Sequence, residues 1–197
     1  TEGKSYFADK LGDEIATKSL NVLDDGTLPE GLNTTAIDGE GTPSQKTTVV
    51  DKGILKNFLN DSYYANIMDS KSTGNSKKSG NPDYEHPPQI GISTITIQPG
   101  TKSFEDTVAN FENAILVRNF MMGMGHTNPI TGNFSIVCPT VYLIEKGEIK
   151  NALEPVNVAG NLYHSLKSIS NFCSDTFLTP FGVKTPSIVL EGLTVTG

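Results

Sequence analysis

No apolar run in this chain is longer than four residues, and 19 Gly and 11 Pro interrupt the 197-residue sequence. A membrane-spanning helix needs roughly 20 consecutive apolar residues, so none is expected. Short apolar pieces between turn-forming residues suit short strands joined by tight turns. Ser, Thr and Asn, which make up 53 of the 197 residues, favour the same outcome. The chain starts at Thr1 without a basic n-region and apolar h-region, so no signal peptide is read there. A first residue that is not Met is expected of a processed product or a fragment.

Local patterns give the elements. Thr47–Lys56 reads as strand, glycine turn, strand, and Thr140–Ile149 repeats that hairpin pattern. Ile92–Ile97 alternates apolar and polar residues and stops at Pro99-Gly100, and Ser187–Val195 is a last strand with a bulge expected at Gly192. Ser103 is a good N-cap with Glu105 and Asp106 behind it, and Phe104, Val108, Phe111 and Ile115 fall at helical spacing. A helix over Ser103–Arg118 is therefore expected, with those four residues buried. A second helix, Asn161–Phe172, would bury Leu162, Leu166 and Ile169; weaker candidates are Tyr6–Ala16 and Ser62–Met68. Lys71–Pro88 is polar and reads as a long loop. The fold class is α+β, an antiparallel β-rich domain with a few helices packed on the sheet.

The chemistry-bearing residues point away from several functions. Net charge is −7, and Arg118 is the single arginine among 15 basic residues. Phosphate-driven affinity needs a basic footprint, so no nucleic-acid partner is expected. Cys138 and Cys173 lack metal-ribbon or disulfide-framework spacing; both read as packed thiols, Cys173 closing the second helix. His86, His126 and His164 are separated by 40 and 38 residues, too scattered for paired zinc ligands on one helix. His86 and His164 read as surface residues and His126 as part of a turn. Asp24-Asp25 and Asp38-Gly39-Glu40-Gly41 could be an acid–base pair or cation ligands, but beside glycines they more simply serve turn backbone. Lys71, Lys77 and Lys78 read as a solvated cluster.

A set of segments in fixed order resembles one family, the TldD/PmbA proteins, once called modulators of DNA gyrase. They are Phe7–Gly12, Leu23-Asp24-Asp25-Gly26-Thr27-Leu28-Pro29, Ile37–Pro43, Gly53–Lys56, Asp61–Ala65, Ser72-Thr73-Gly74-Asn75, Gln98–Gly100, Asn128–Phe134, Tyr142–Ile149, Ala159–Asn161 and Leu190–Val195. Gly39 stands where the family has an acid, and Lys77-Lys78 where Arg is common. The resemblance implies a C-terminal domain over residues 1–197, with the family's N-terminal α/β domain outside this chain. It implies that catalytic TldD-type members carry an HExxxH zinc helix ahead of this region and a Cys late in it. Thr176–Pro186, the corresponding segment here, has no Cys, and Cys173 lies upstream. The resemblance therefore points to the TldE/PmbA branch. Such a subunit is a non-catalytic partner in a cytoplasmic peptide-processing metallopeptidase. No catalytic or metal residue is expected on this chain; zinc belongs to the TldD-like partner.

The partner is that TldD-like subunit or a second copy, and the substrate is a peptide. Ser72, Thr73, Gly74 and Asn75 are the candidate substrate- or partner-binding residues, because Gly74 permits close backbone approach while Thr73 and Asn75 offer donors and acceptors. The alternatives are a catalytic TldD-like subunit with Cys173 as a displaced ligand, and a gyrase-associated interaction protein.

Overall fold

The structure is a computed structural model describing residues 5–78, 85–119, 121–122 and 127–197. Its first half contains β1 (Val22–Asp25), β2 (Lys46–Asp51), β3 (Ile54–Leu55), α1 (Ser62–Ile67), β4 (Ser76–Lys77), β5 (Gln89–Ile90), β6 (Ile95–Ile97) and α2 (Phe104–Val108). Then follow β7 (Asn113–Val117), β8 (Asn133–Cys138), β9 (Val141–Glu145), β10 (Glu148–Leu153), β11 (Val156–Asn161) and α3 (Leu162–Lys167). The chain ends through β12 (Ile169–Phe172), β13 (Phe177–Leu178), β14 (Val183–Thr185), β15 (Ile188–Leu190) and β16 (Thr194–Thr196).

One six-stranded sheet, ordered β13-β14-β6-β1-β2-β3, is joined by the three-stranded sheets β10-β9-β7 and β16-β11-β8 and by the pairs β12-β15 and β4-β5. Neighbours are antiparallel except β14 and β6, which run parallel. The expected α+β, antiparallel-dominated class is what the chain forms. Both hairpins are present. Their turns, Lys52-Gly53 and Lys146-Gly147, hold φ of 49° and 77°, and 51° and 77°. Two consecutive positive φ values make a type I′ turn, whose twist matches the strands it joins.

Two apolar cores fill the spaces between sheets. Ile15, Ala16, Leu20, Val50, Leu55, Ile169 and Phe172 form one; Cys138, Val141, Val156 and Val158 form the other.

The helices are shorter than their spacing suggests. Ser103 caps α2 as expected, its hydroxyl accepting the Asp106 N–H at 2.9 Å, but the helix ends at Val108. Asn113–Val117 extends into β7 and pairs with β9 over five residues. Val108 is buried and Phe104 and Phe111 are half-buried, whereas Ile115 is 37% exposed on the outer side of its strand. Helical spacing here coincided with a segment whose β-branched residues gain more from pairing.

The second helix divides in the same way. Asn161 caps α3 through its side-chain oxygen, and Ile169–Phe172 becomes β12 against β15. Ile169 is buried, Leu166 half-buried and Leu162 44% exposed. Cys173 thus follows a strand rather than closing a helix, and it is buried as expected. Ser62–Met68 does form a helix, capped by Asp61, while the described part of Tyr6–Ala16 is a series of turns. Gly192 does more than bulge a strand. Chain before it pairs with β12 and chain after it with β11, so the segment changes sheets there. The described part of Lys71–Pro88 carries β4, paired with β5.

Val108 anchors the one turn of helix that the 103–118 segment keeps. Replacing it with Asp places an unpaired carboxylate in that site and is expected to destabilise the domain by about 3 kcal/mol or more. Chemical denaturation of the variant measures this directly.

Candidate functional site

Five sequence segments far apart in the chain meet at one polar junction, and the Ser72–Asn75 loop lies inside it. Asp24, 1% exposed, accepts the Ser93 backbone N–H at 2.7 Å on one oxygen and the Asn75 amide at 2.6 Å on the other. The Asn75 amide also donates to the Gly91 carbonyl, and the Gly91 N–H donates to the Asn75 carbonyl. Asp38 accepts the Glu40, Thr42 and Ser76 N–H groups. Glu40 accepts the Ser62 N–H at the start of α1.

Thr73 is bonded to Asn60 three times. Its hydroxyl accepts the Asn60 N–H at 2.7 Å and donates to the Asn60 carbonyl, while its own N–H donates to the Asn60 side chain. Gly74, at φ 70°, passes so close to Pro43 that a Cβ would lie 2.8 Å from its carbonyl oxygen. The donors and acceptors that Thr73 was expected to offer an incoming chain are engaged inside the domain, and Asn75 is wholly buried. Ser72 and Thr73 do reach a second surface, a polar groove of about 530 Å³ against Lys46, Thr48 and Asn57.

Of the carboxylates expected to serve turn backbone, Asp25 and Asp38 do so, whereas Asp24 and Glu40 hold segments distant in sequence. Asp25 accepts the Thr27 hydroxyl and N–H at 2.7 and 2.9 Å and pairs with Lys46 at 3.1 Å. Burial pushes the Asp25 carboxyl up, but these bonds and the ammonium outweigh it and hold it below its ordinary value. Lys71 and Lys78 are exposed as read from sequence. Lys77 is not simply solvated: it lies in β4 with its ammonium 3.2 Å from the Ser93 hydroxyl. His86 and His164 are exposed, and His126 lies outside the described residues.

A larger groove, of about 900 Å³, opens at the other end of the six-stranded sheet. One wall is the excursion through β13 and Pro180-Phe181; the other is Phe104 with Leu116 and Val117. Asp175 fixes the base of the excursion, accepting the Ser187 hydroxyl at 2.6 Å and its N–H at 3.2 Å. Residue patterns did not reveal this groove, because its walls come from segments some 60 residues apart. The signal in the sequence was indirect, namely that Thr176–Pro186 is the segment where the resemblance places the late cysteine.

The whole chain, residues 1–197, matches the PmbA/TldA metallopeptidase C-terminal domain. The chain belongs to this family. The metalloprotease TldD homolog of Buchnera aphidicola subsp. Schizaphis graminum is 28% identical over 99% of the chain and 42% of the relative. Metalloprotease PmbA of Escherichia coli O157:H7 is 26% identical over 98% of the chain and 39% of the relative. The crystal structure of TldE from Thermococcus kodakarensis superposes with a TM-score of 0.86 at 30% identity, over 98% of this chain and 43% of that one. The chain thus spans less than half the length of the relatives it matches.

The metallopeptidase family implies a metal, and the described residues do not fit one. The Cys173 thiol is 1% exposed and donates to the Thr107 hydroxyl at 3.4 Å. In the large groove, Asp175 has both oxygens engaged by Ser187, and the excursion it anchors offers Phe177, Leu178, Thr179 and Pro180. Among the described residues no three His, Cys, Asp or Glu side chains gather as a metal site. Burial raises the Cys138 thiol above its usual pKa, which leaves it a weak nucleophile and ligand.

Two outcomes follow from the junction. Asn75→Ala removes a donor from a buried carboxylate and is expected to destabilise the domain by about 1–3 kcal/mol. A drop of that size in the free energy of urea unfolding checks it. Asp25 has a lower pKa folded than unfolded, so its stabilisation is complete above the ordinary value of 3.8 and disappears as pH falls through the folded value. The Asp25→Asn variant is therefore expected to be less stable than wild type at neutral pH. Its denaturation midpoint should also fall less steeply below about pH 4.

Proposed function

We propose that this chain is the C-terminal domain of a TldE/PmbA-like subunit, the non-catalytic half of a cytoplasmic zinc metallopeptidase that processes peptides. In this reading zinc is held by a TldD-like partner subunit, or the subunit pairs with a second copy of itself. The observation that carries it is the wall of the large groove. The segment between Asp175 and Pro186 presents aromatic, aliphatic and hydroxyl side chains, and the nearest thiol is sealed against Thr107. The resemblance to TldE of Thermococcus kodakarensis supports the same branch.

The apolar groove is where this subunit would contribute to holding an extended peptide. No helix among the described residues is long and apolar enough to cross a membrane. Ser72 and Thr73 would meet a peptide or partner at the smaller groove, with Gly74 and Asn75 fixing the shape of that loop from inside.

A second reading, a catalytic TldD-like subunit, draws on the relative named a TldD homolog, which matches 99% of this chain. It requires Cys173 to leave Thr107 and ligate zinc. The full-length subunit separates the two readings. On the favoured one it is expected to purify without stoichiometric zinc and without peptidase activity, and to form an active enzyme with a TldD-like subunit. One zinc per chain, lost in Cys173→Ser, would establish the catalytic reading instead.

A further inference from the structure

Arg118 is the only arginine of the chain, and it lines the large groove. It stands at the end of β7, held by its backbone N–H to the Thr140 carbonyl at 2.9 Å, with its guanidinium over the Phe104 ring at 5.2 Å. Among the described residues no carboxylate pairs with it. The sequence from Asn119 to Thr127 contains no acid that could do so. Of the two carboxylates in the groove, Asp175 is bound by Ser187, and Glu105 is exposed and makes no ion pair.

A guanidinium over an aromatic face, beside Leu116, Val117 and Leu178, is restrained in direction even though the side chain is exposed. Its planar fork matches a carboxylate in two-point contact, and the apolar surroundings strengthen such a contact relative to one in open water.

We propose that Arg118 is a specificity-determining residue that receives a carboxylate of the peptide lying in the groove. The carboxylate is the peptide's free C-terminus or an acidic side chain, with apolar residues of the peptide against Phe104, Leu116 and Phe177. This rests on the reading of the groove as a peptide site.

The test uses the full-length subunit assembled with its TldD-like partner, and four fluorescent pentapeptides that share an apolar core. Two end in Glu or Gln with a free C-terminus, and two are the corresponding C-terminal amides. The wild-type assembly is expected to bind the form with the matching carboxylate about tenfold more tightly than its neutral counterpart. The amide arm and the Gln arm identify which carboxylate is read. In Arg118→Gln that ratio is expected to fall to about one, and in Arg118→Lys to lie between, since charge is kept and the fork is lost. Arg118 is exposed, so both variants should melt like wild type.

If Arg118→Gln keeps the wild-type ratio while Phe177→Ser abolishes binding, the groove holds peptides and Arg118 does not select them. If binding of all four peptides survives Phe177→Ser unchanged, the groove is not the peptide site and the proposal falls with that reading.

Discussion

The carboxylate of Asp24 organises one half of this domain. It is buried beneath β1, and its two oxygens hold Ser93, 69 residues away, and Asn75, 51 residues away. Taking an aspartate out of water is unfavourable unless its lone pairs are satisfied. Contacts of 2.6 and 2.7 Å lie in the range of charge-assisted bonds, about twice as strong as neutral ones. An ionised carboxylate accepts without needing to donate, which suits a place where backbone and amide N–H groups converge from two directions. The same device recurs nearby. Asp38 gathers the Glu40, Thr42 and Ser76 N–H groups, and Asp61 caps α1. Long, irregular connections can then sit against the sheet without leaving their backbone donors unmatched.

This polar framework matters because the apolar cores are modest. Among the described residues one contains seven buried residues and the other four, and neither includes a residue from positions 24–45 or 69–78. Hydrophobic burial orders the strands, while buried aspartates order what lies between them. The division also explains Lys77. Its stem packs over Gly91, where a Cβ would come within 2.7 Å, and its ammonium joins Ser93, the residue that Asp24 holds.

Some of this was legible in the sequence, and the reason differs from place to place. The two hairpins were readable because Lys-Gly between alternating residues encodes a turn within a few positions. The caps at Asp61 and Ser103 were equally local. The lengths of the helices were not, since apolar residues at positions 104, 108, 111 and 115 fit a helix as a string and only the approach of β9 turns the second half into a strand. Burial of Asn75 was still further from view. Nothing in Ser-Thr-Gly-Asn says that the last residue is wholly enclosed, because its partners are supplied from positions 24 and 91. Family resemblance pointed to this loop without revealing that its polar groups face inward. The large groove lacked any local signature, and its lone arginine spoke first only against nucleic acid.

The elements that hold the fold and the elements that could carry chemistry are separate in this molecule. Asp24, Asp38 and Asn75 lie at the buried junction, and exchanging any of them leaves a donor or acceptor unmatched. Phe177 and Phe181, on the groove wall, are 51% and 67% exposed. Their segment is fixed at its base by Asp175 and Ser187 and at its return by β14 pairing with β6. Between those anchors the Thr179 hydroxyl accepts the Val183 N–H and the Gly182 carbonyl accepts the Ile95 N–H, so the backbone is held while the Phe177 ring stays half exposed at the groove. A backbone held in this way can present different side chains to the groove without disturbing the buried junction. That separation of support from groove wall lets the residues facing the groove change while Asp24, Asp38 and Asn75 keep the fold.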